Sequence, residues 1–343
     1  MRVAVVGATG VVGRTLIKLL HERGFPVDEL VPFASDRSVG QELWFGEHRL
    51  ITARELTAKA SRNFDLVFCA ADNDVSEEWV PRFNDAGACV IDLADWQRMK
   101  PSVPLVVPEV NPQVFEMGLK DHDGIIANPN CATIQMVVAL KPIYDAVGII
   151  RIVVSSMQSV SGAGASAVKE MESQARVLLK EAKPKPPQRF PHQIAFNAIP
   201  EVGGFLDDSP WSTEELKLMA ETKKILGNPG IKVSPTCVRI PVKIGHSQDI
   251  TIETSRPLSA ADCRELLEAA PGVVVQDAPE ESFYPMAINV TESDNVFVGR
   301  IRKDPSAHNN LKLWVVANNP RKGAATNAIQ IAELLDRDGR IHP

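Results

Sequence analysis

Apolar residues run along this chain in two rhythms. In the first 130 positions, short runs alternate with amphipathic stretches: Val3 to Val6, Glu29 to Ala34, Leu66 to Ala70, Val90 to Leu93 and Leu105 to Val107. After the first run, Val12, Leu16, Leu19 and Leu20 recur at helical spacing until Gly24 stops them. Buried strands alternating with helices are the signature of βαβ units in a parallel sheet covered on both faces.

The rhythm changes after Cys131. A helix is expected over Ala132 to about Val147, then a strand over Ile149 to Gln158, a glycine-rich turn and a helix to about Glu181. The proline-rich stretch from Lys183 to Pro191 reads as an exposed loop. Thr236 to Ile244 alternates, with Val238, Ile240, Val242 and Ile244 on one face and Arg239 and Lys243 on the other. That pattern predicts a half-buried strand with Arg239 mid-strand on its polar face. Ile250 to Thr254, Val273 to Gln276 and Leu311 to Ala317 supply more strands, and a last helix spans about Ala324 to Leu335. The predicted class is α/β. A Rossmann-like dinucleotide-binding domain over 1–127 and 319–343 joins an α+β catalytic and dimerisation domain, with a mixed sheet, over 128–318.

Length and charge narrow the partners. The 343 residues suit two domains. The net charge of −6 offers no broad basic field, so neither nucleic acid nor an anionic membrane is an expected partner. Five cysteines without a C-x-x-C pair argue against a disulfide framework or a metal site and suit a reducing compartment, the cytoplasm. The apolar start, Val3 to Gly13, is broken by glycines and followed by Arg14 and Lys18, unlike a signal peptide.

Three features carry chemistry. Gly7-Ala8-Thr9-Gly10-Val11-Val12-Gly13 lies between a strand and a helix, where glycines let the backbone approach a diphosphate and the helix offers free N–H groups. Past the second strand, Asp36 would suit a ribose hydroxyl, whereas Arg37 with Ser38 would suit a 2′-phosphate, which tips the reading towards NADP. Cys131, after Asn128-Pro129-Asn130, opens a helix, whose dipole and N–H groups favour a thiolate and can steady an oxyanion. Cys69, Cys89, Cys237 and Cys263 have the settings of packing residues. Seven histidines could partner the thiol: His21, His48, His122, His192, His246, His308 and His342. His246, just past the strand of Arg239, could share a cleft with that guanidinium, which has the fork to hold a carboxylate. A dinucleotide fold with such a cysteine suggests aldehyde chemistry through a thioester.

Taken together, GATGVVG, FASDRSVG, VPEVN, NPNCAT, QSVSGAG, EELK, VRIPV followed by GHS, and RKGAATNAIQIAE occur in an order that resembles the aspartate-β-semialdehyde dehydrogenase family. The resemblance runs from the first residue to about Asp336. It implies NADPH-dependent reduction of β-aspartyl phosphate to the semialdehyde on the diaminopimelate route to lysine and the routes to methionine and threonine, by a homodimer or homotetramer. It implies Cys131 as the thioester-forming nucleophile, Gln158 as the residue orienting substrate and His246 as the acid/base. Arg239 would clamp the substrate carboxylate, Glu214 would meet its amino group, and Arg98 and Lys217 would hold phosphate. Gly7, Thr9, Gly10, Val11, Val12, Arg37, Ser38, Ser161, Gly162 and Asn319 fall on cofactor contacts. The chain departs from the family pattern at Cys69-Ala70-Ala71-Asp72-Asn73-Asp74, at Leu93-Ala94-Asp95 and at Asn318-Asn319-Pro320, all on the cofactor side. Alternatives are a reductase of another acyl phosphate and a catalytically silent NADP-binding paralogue.

Overall fold

The computed structural model describes residues 1–115 and 124–341, so His122 and His342 lie outside the described residues. The chain divides into two compact units, Met1–Pro129 with Ala324–Pro343, and Asn130–Gly323.

The first unit contains β1 (Arg2–Val6), α1 (Val11–Glu22), β2 (Glu29–Ala34), a hairpin of β3 (Glu42–Phe45) and β4 (Arg49–Thr52), and β5 (Arg54–Glu55). Then follow β6 (Leu66–Cys69), α2 (Asn73–Asp85), β7 (Cys89–Asp92) and β8 (Ile125–Ala127). Six strands form a parallel sheet in the order β5-β2-β1-β6-β7-β8. The strand order reverses between β1 and β6, which opens a crevice at their carboxyl ends. Alternate residues of β1 serve opposite cores. Val3 and Val5 pack with Leu16, Leu20 and, from the last helix (Thr326–Arg337), Ile329 and Leu335. Ala4 and Val6 pack with Phe33, Phe64 and Phe83 on the other face.

The expected strand over Leu105 to Val107 does not form; Leu105 makes one bridge to Ala127. Pro104 and Pro108 flank it and have no N–H to extend a ladder.

Asp92, the last residue of β7, is fully buried; it accepts hydrogen bonds from Ser76 Oγ at 2.7 Å and the Ala94 N–H at 3.0 Å. Burial pushes its carboxyl up to about 6, against those bonds and the charge of Arg98. The folded state therefore holds this proton more tightly than the unfolded chain. The resulting stabilisation is complete below about pH 4 and is lost as pH rises through about 6. Asp92→Asn should remove that slope. The stability of the native protein relative to the variant should fall by on the order of 2 kcal/mol between pH 4 and 7, read from urea midpoints. A difference that stays flat with pH would contradict it.

The second unit starts with α3 (Cys131–Val147), β9 (Ile149–Gln158), α4 (Ala165–Leu178) and α5 (Thr213–Ile225). It continues through β10 (Lys232–Arg239), β11 (His246–Thr254), α6 (Ala260–Glu268), β12 (Val273–Val275), β13 (Val296–Lys303) and β14 (Asn310–Ala317). Its six-stranded sheet is mixed, in the order β10-β9-β11-β14-β13-β12. β10 runs parallel to β9, and β11 antiparallel to both β9 and β14. α3 packs against β9, β11, β13 and β14.

The strand bearing Arg239 differs from its expected form. It ends at Arg239, ahead of Pro241, and its buried positions are Pro235, Cys237 and Arg239. Arg239 therefore projects into the interior; the apolar alternation to Ile244 lies beyond the strand and does not report its facing. No helix among the described residues is long and apolar enough to cross a membrane.

Candidate active site

Three strand ends meet in the second unit. The parallel register of β9 and β10 sets Gln158 beside Arg239, the last residue of each strand. β11 runs the other way beside β9, with Ser247 opposite Met157, so its first residue, His246, starts at the same edge. His246 and Gln158 are buried and Arg239 is nearly so. A Cβ placed on Gly162 would lie 3.0 Å from Arg239 Nη1 and 3.4 Å from His246 Nε2, so both groups face the same small space.

Cys131 enters that space from α3. Asn130 caps the helix, its side-chain oxygen accepting from the N–H groups of Ala132 and Thr133. Asn130 is an N-cap residue of the preferred kind, and it leaves the thiol at the first helical position. Cys131 Sγ lies 3.3 Å from His246 Nε2. Burial, and then the charge of Arg239, hold the His246 pKa well below its usual value, so the ring is neutral at neutral pH.

The partners expected from α5 are close by. Ser212 and Glu215 form a capping box, and Glu215 Oε1 also accepts from the Cys237 N–H at 2.9 Å, tying the helix start to β10. This sets Glu214, which is buried and accepts from Asn130 Nδ2 at 2.9 Å. Lys217 Nζ lies 4.0 Å from the Glu214 carboxylate. Burial lowers the Arg239 pKa and Glu214 raises it. Gln158 directs its amide nitrogen to Ser156 Oγ at 3.4 Å and Cys237 Sγ at 3.9 Å. Ser161 and Asn319 are hydrogen bonded to each other.

The remaining predicted residues fall in the first unit. Arg98 is buried and donates to the Leu93 carbonyl at 2.8 Å. Gly7, Thr9, Gly10, Val11 and Val12 form the turn from β1 into α1, and Arg37 and Ser38 lie in a short helical turn after β2. Glycine lets the turn pack close against the residue that follows β6. Gly7 has φ +76°, and a Cβ there would lie 2.3 Å from the Ala70 carbonyl oxygen. The α1 cap, Gly10, brings no side chain over the first N–H groups of the helix. Two of the departures from the family pattern meet here. Asn73 and Asp95 are reciprocally hydrogen bonded, side chain to side chain and Asp95 N–H to Asn73 Oδ1 at 3.0 Å. Among the described residues no group of acidic, histidine and cysteine side chains is arranged to hold a metal ion.

Sequence reading missed a second tier behind the thiol. Gln248 Nε2 donates to the Ala132 carbonyl at 2.9 Å, and Gln135 Nε2 lies 3.5 Å from the His246 carbonyl. Each glutamine thus reaches from the element bearing one reactive group to the backbone beside the other. A glutamine inside a strand or an apolar helix gives no local hint of such a tie. Gln248 Nε2 also reaches Ser156 Oγ at 3.5 Å and Oε1 is buried with no partner, so Gln248→Met loses two bonds but also one orphaned acceptor. We expect its melting temperature to stay within a few degrees and kcat to fall about tenfold through misplacement of the thiol. Unchanged kcat would contradict the tie.

The comparisons with known proteins agree with this architecture. Residues 2–117 match the family described as semialdehyde dehydrogenase, NAD binding domain, and residues 140–322 match semialdehyde dehydrogenase, dimerisation domain. The aspartate-semialdehyde dehydrogenase of Aquifex aeolicus is 52% identical to this chain over 343 residues, covering 99% of each. A crystal structure of aspartate semialdehyde dehydrogenase II complexed with ASA from Vibrio cholerae superposes with a TM-score of 0.93 at 43% identity, covering 98% of each chain. A structure of aspartate semialdehyde dehydrogenase with NADP from Candida albicans gives 0.74 at 27% identity, covering 99% of each. With two domain families matched in order and close relatives matched end to end, the chain belongs to the aspartate-semialdehyde dehydrogenase family.

Proposed function

We propose that this chain reduces β-aspartyl phosphate to aspartate β-semialdehyde, reversibly and with release of phosphate, using NADPH. The observation that carries the reading is the thiol at the start of α3, 3.3 Å from a buried imidazole, at an edge shared with Gln158 and Arg239. The Cys131 thiolate adds to the acyl carbon. The bond from that carbon to the phosphate oxygen breaks, and phosphate departs with the electron pair, leaving a thioester. Bound NADPH supplies hydride to the thioester carbon. The carbon–sulfur bond then breaks, its pair returns to sulfur, and the aldehyde leaves.

The other side chains bind and orient. Arg239 takes the α-carboxylate with its fork of donors, and Glu214 takes the ammonium group. Arg98 and Lys217 hold the phosphate, Gln158 orients the acyl group, and His246 is the acid/base at the oxygen on the reacting carbon. Residues 1–127 and 319–343 would hold the dinucleotide through Gly7, Thr9, Gly10, Val11, Val12 and Asn319, with Arg37 and Ser38 at the 2′-phosphate and Ser161 and Gly162 on the nicotinamide side. Residues 128–318 would carry the chemistry and the contact between protomers of a homodimer or homotetramer. A buried carboxylate at Glu214 favours a free amino group over an N-acylated substrate.

An absorbance assay with semialdehyde, phosphate and either NADP or NAD tests this. Turnover should require phosphate and favour NADP. Folded protein with no turnover on either dinucleotide would overturn the proposal and favour a silent paralogue.

A further inference from the structure

We propose that the backbone N–H of Ser159 fixes His246 as the tautomer with its proton on Nε2, so that the ring meets the Cys131 sulfur as a hydrogen-bond donor. The proposal rests on the reading of Cys131 as the nucleophile and adds to it which way the imidazole works.

The backbone N–H groups around the ring have hydrogens that cannot move. The Ser159 backbone nitrogen lies 3.1 Å from His246 Nδ1 with its N–H directed at that atom. A backbone N–H only donates, so Nδ1 must present its lone pair, and the single proton of a neutral ring then sits on Nε2. Nε2 is the nitrogen 3.3 Å from Cys131 Sγ. The Asn319 amide is pinned in the same way: the Gly245 N–H donates to Oδ1 at 3.0 Å, which leaves Nδ2 to donate to Ser161 Oγ at 3.0 Å. One adjustable hydrogen remains beside the ring. The Ser159 hydroxyl is 3.1 Å from Nδ1, 3.0 Å from Asn319 Oδ1 and 3.1 Å from Ser161 Oγ and can turn to any of them. It adapts to the tautomer and does not set it.

A second proton on the ring is opposed from two sides. It would place Nδ1–H against the Ser159 N–H, and it would add a positive charge to a fully buried group beside the Arg239 guanidinium. The reaction needs no such proton. The thiol gives its proton to solvent, the thiolate adds to the acyl carbon, and phosphate leaves with the electron pair, taking a proton from solvent. After hydride addition the tetrahedral carbon bears an oxyanion, which collapses to the aldehyde as the carbon–sulfur pair returns to sulfur. Nε2–H can donate a hydrogen bond to the thiolate and then act as the acid at the oxyanion, taking its proton back as the aldehyde forms. Ser159 is on this view a positioning residue, acting through its backbone.

The test uses the full-length protein without substrate, its histidine rings labelled with ¹⁵N, in two-bond proton–nitrogen correlation spectra. The signals lost in His246→Asn identify the ring. Neutron diffraction from perdeuterated crystals reads the same atoms without any variant. We expect Nδ1 at the shift of a bare nitrogen and Nε2 at the shift of a protonated one. Ser159→Ala, which removes the hydroxyl and keeps the N–H, should leave that pattern unchanged, as should Cys131→Ala. A proton on Nδ1, alone or with one on Nε2, would overturn the proposal. So would a tautomer that flips in Ser159→Ala or Cys131→Ala, because the hydroxyl or the sulfur would then be setting it. Since no substrate is present, these results stand apart from the semialdehyde assay, and either can fail without the other.

Discussion

Cys131→Ala will lower phosphate-dependent turnover by about 10⁴-fold or more, as expected when the nucleophile of a covalent mechanism is lost. The fold should survive. Asn130, not Cys131, caps α3 through the N–H groups of Ala132 and Thr133, and Cys131 is only partly buried. Dinucleotide binding, followed by calorimetric titration, should therefore remain measurable. Cys131→Ser is the sharper control, because it restores a side chain of similar size without a thiolate at neutral pH. Its turnover should stay within a few fold of the alanine variant. Substantial turnover in either variant would end the thioester mechanism.

Arg239→Lys will lower kcat/KM for the semialdehyde by about 10²–10³-fold, although the charge is kept. The guanidinium is held at the end of β10, where Nη1 donates to the Ser159 carbonyl at 2.7 Å. A lysine ammonium cannot make that bond and also offer two parallel donors to a carboxylate. The loss should fall mainly on KM for the semialdehyde, with KM for phosphate changed little. Arg239→Met should lower kcat/KM for the semialdehyde further, since the buried Glu214 carboxylate then loses the positive charge beside it. An equal rise in both KM values would place Arg239 at the phosphate instead.

Several of these parts are legible in the chain before any folding is considered. Cys131 is expected at a helix start, and α3 begins there, capped by Asn130. The glycine turn after β1 is readable because only glycine tolerates the φ of +76° at Gly7 under the Ala70 carbonyl. β9 and β2 have the bounds that their branched apolar runs predict. Leu105 to Val107 misleads because its composition suits a strand while its flanking prolines cannot complete one. Arg239 misleads in the opposite sense. Alternation continued past the strand end, so the period was read over residues that share no sheet face.

What the sequence by itself determined is the alternation of strand and helix in the first unit, the place of the thiol at a helix start, and a motif order specific to one family. Each of these depends on neighbours a few residues away. Only the tertiary structure decided that Gln158 meets Arg239 and His246, because strand register joins segments separated by 80 residues or more. It also decided that Asn73 and Asp95 answer each other, that Gln135 and Gln248 cross between helix and strand, and which nitrogen of His246 faces sulfur. A tautomer is set by whichever donor lies against the ring, and no pattern of neighbours along the chain records that donor.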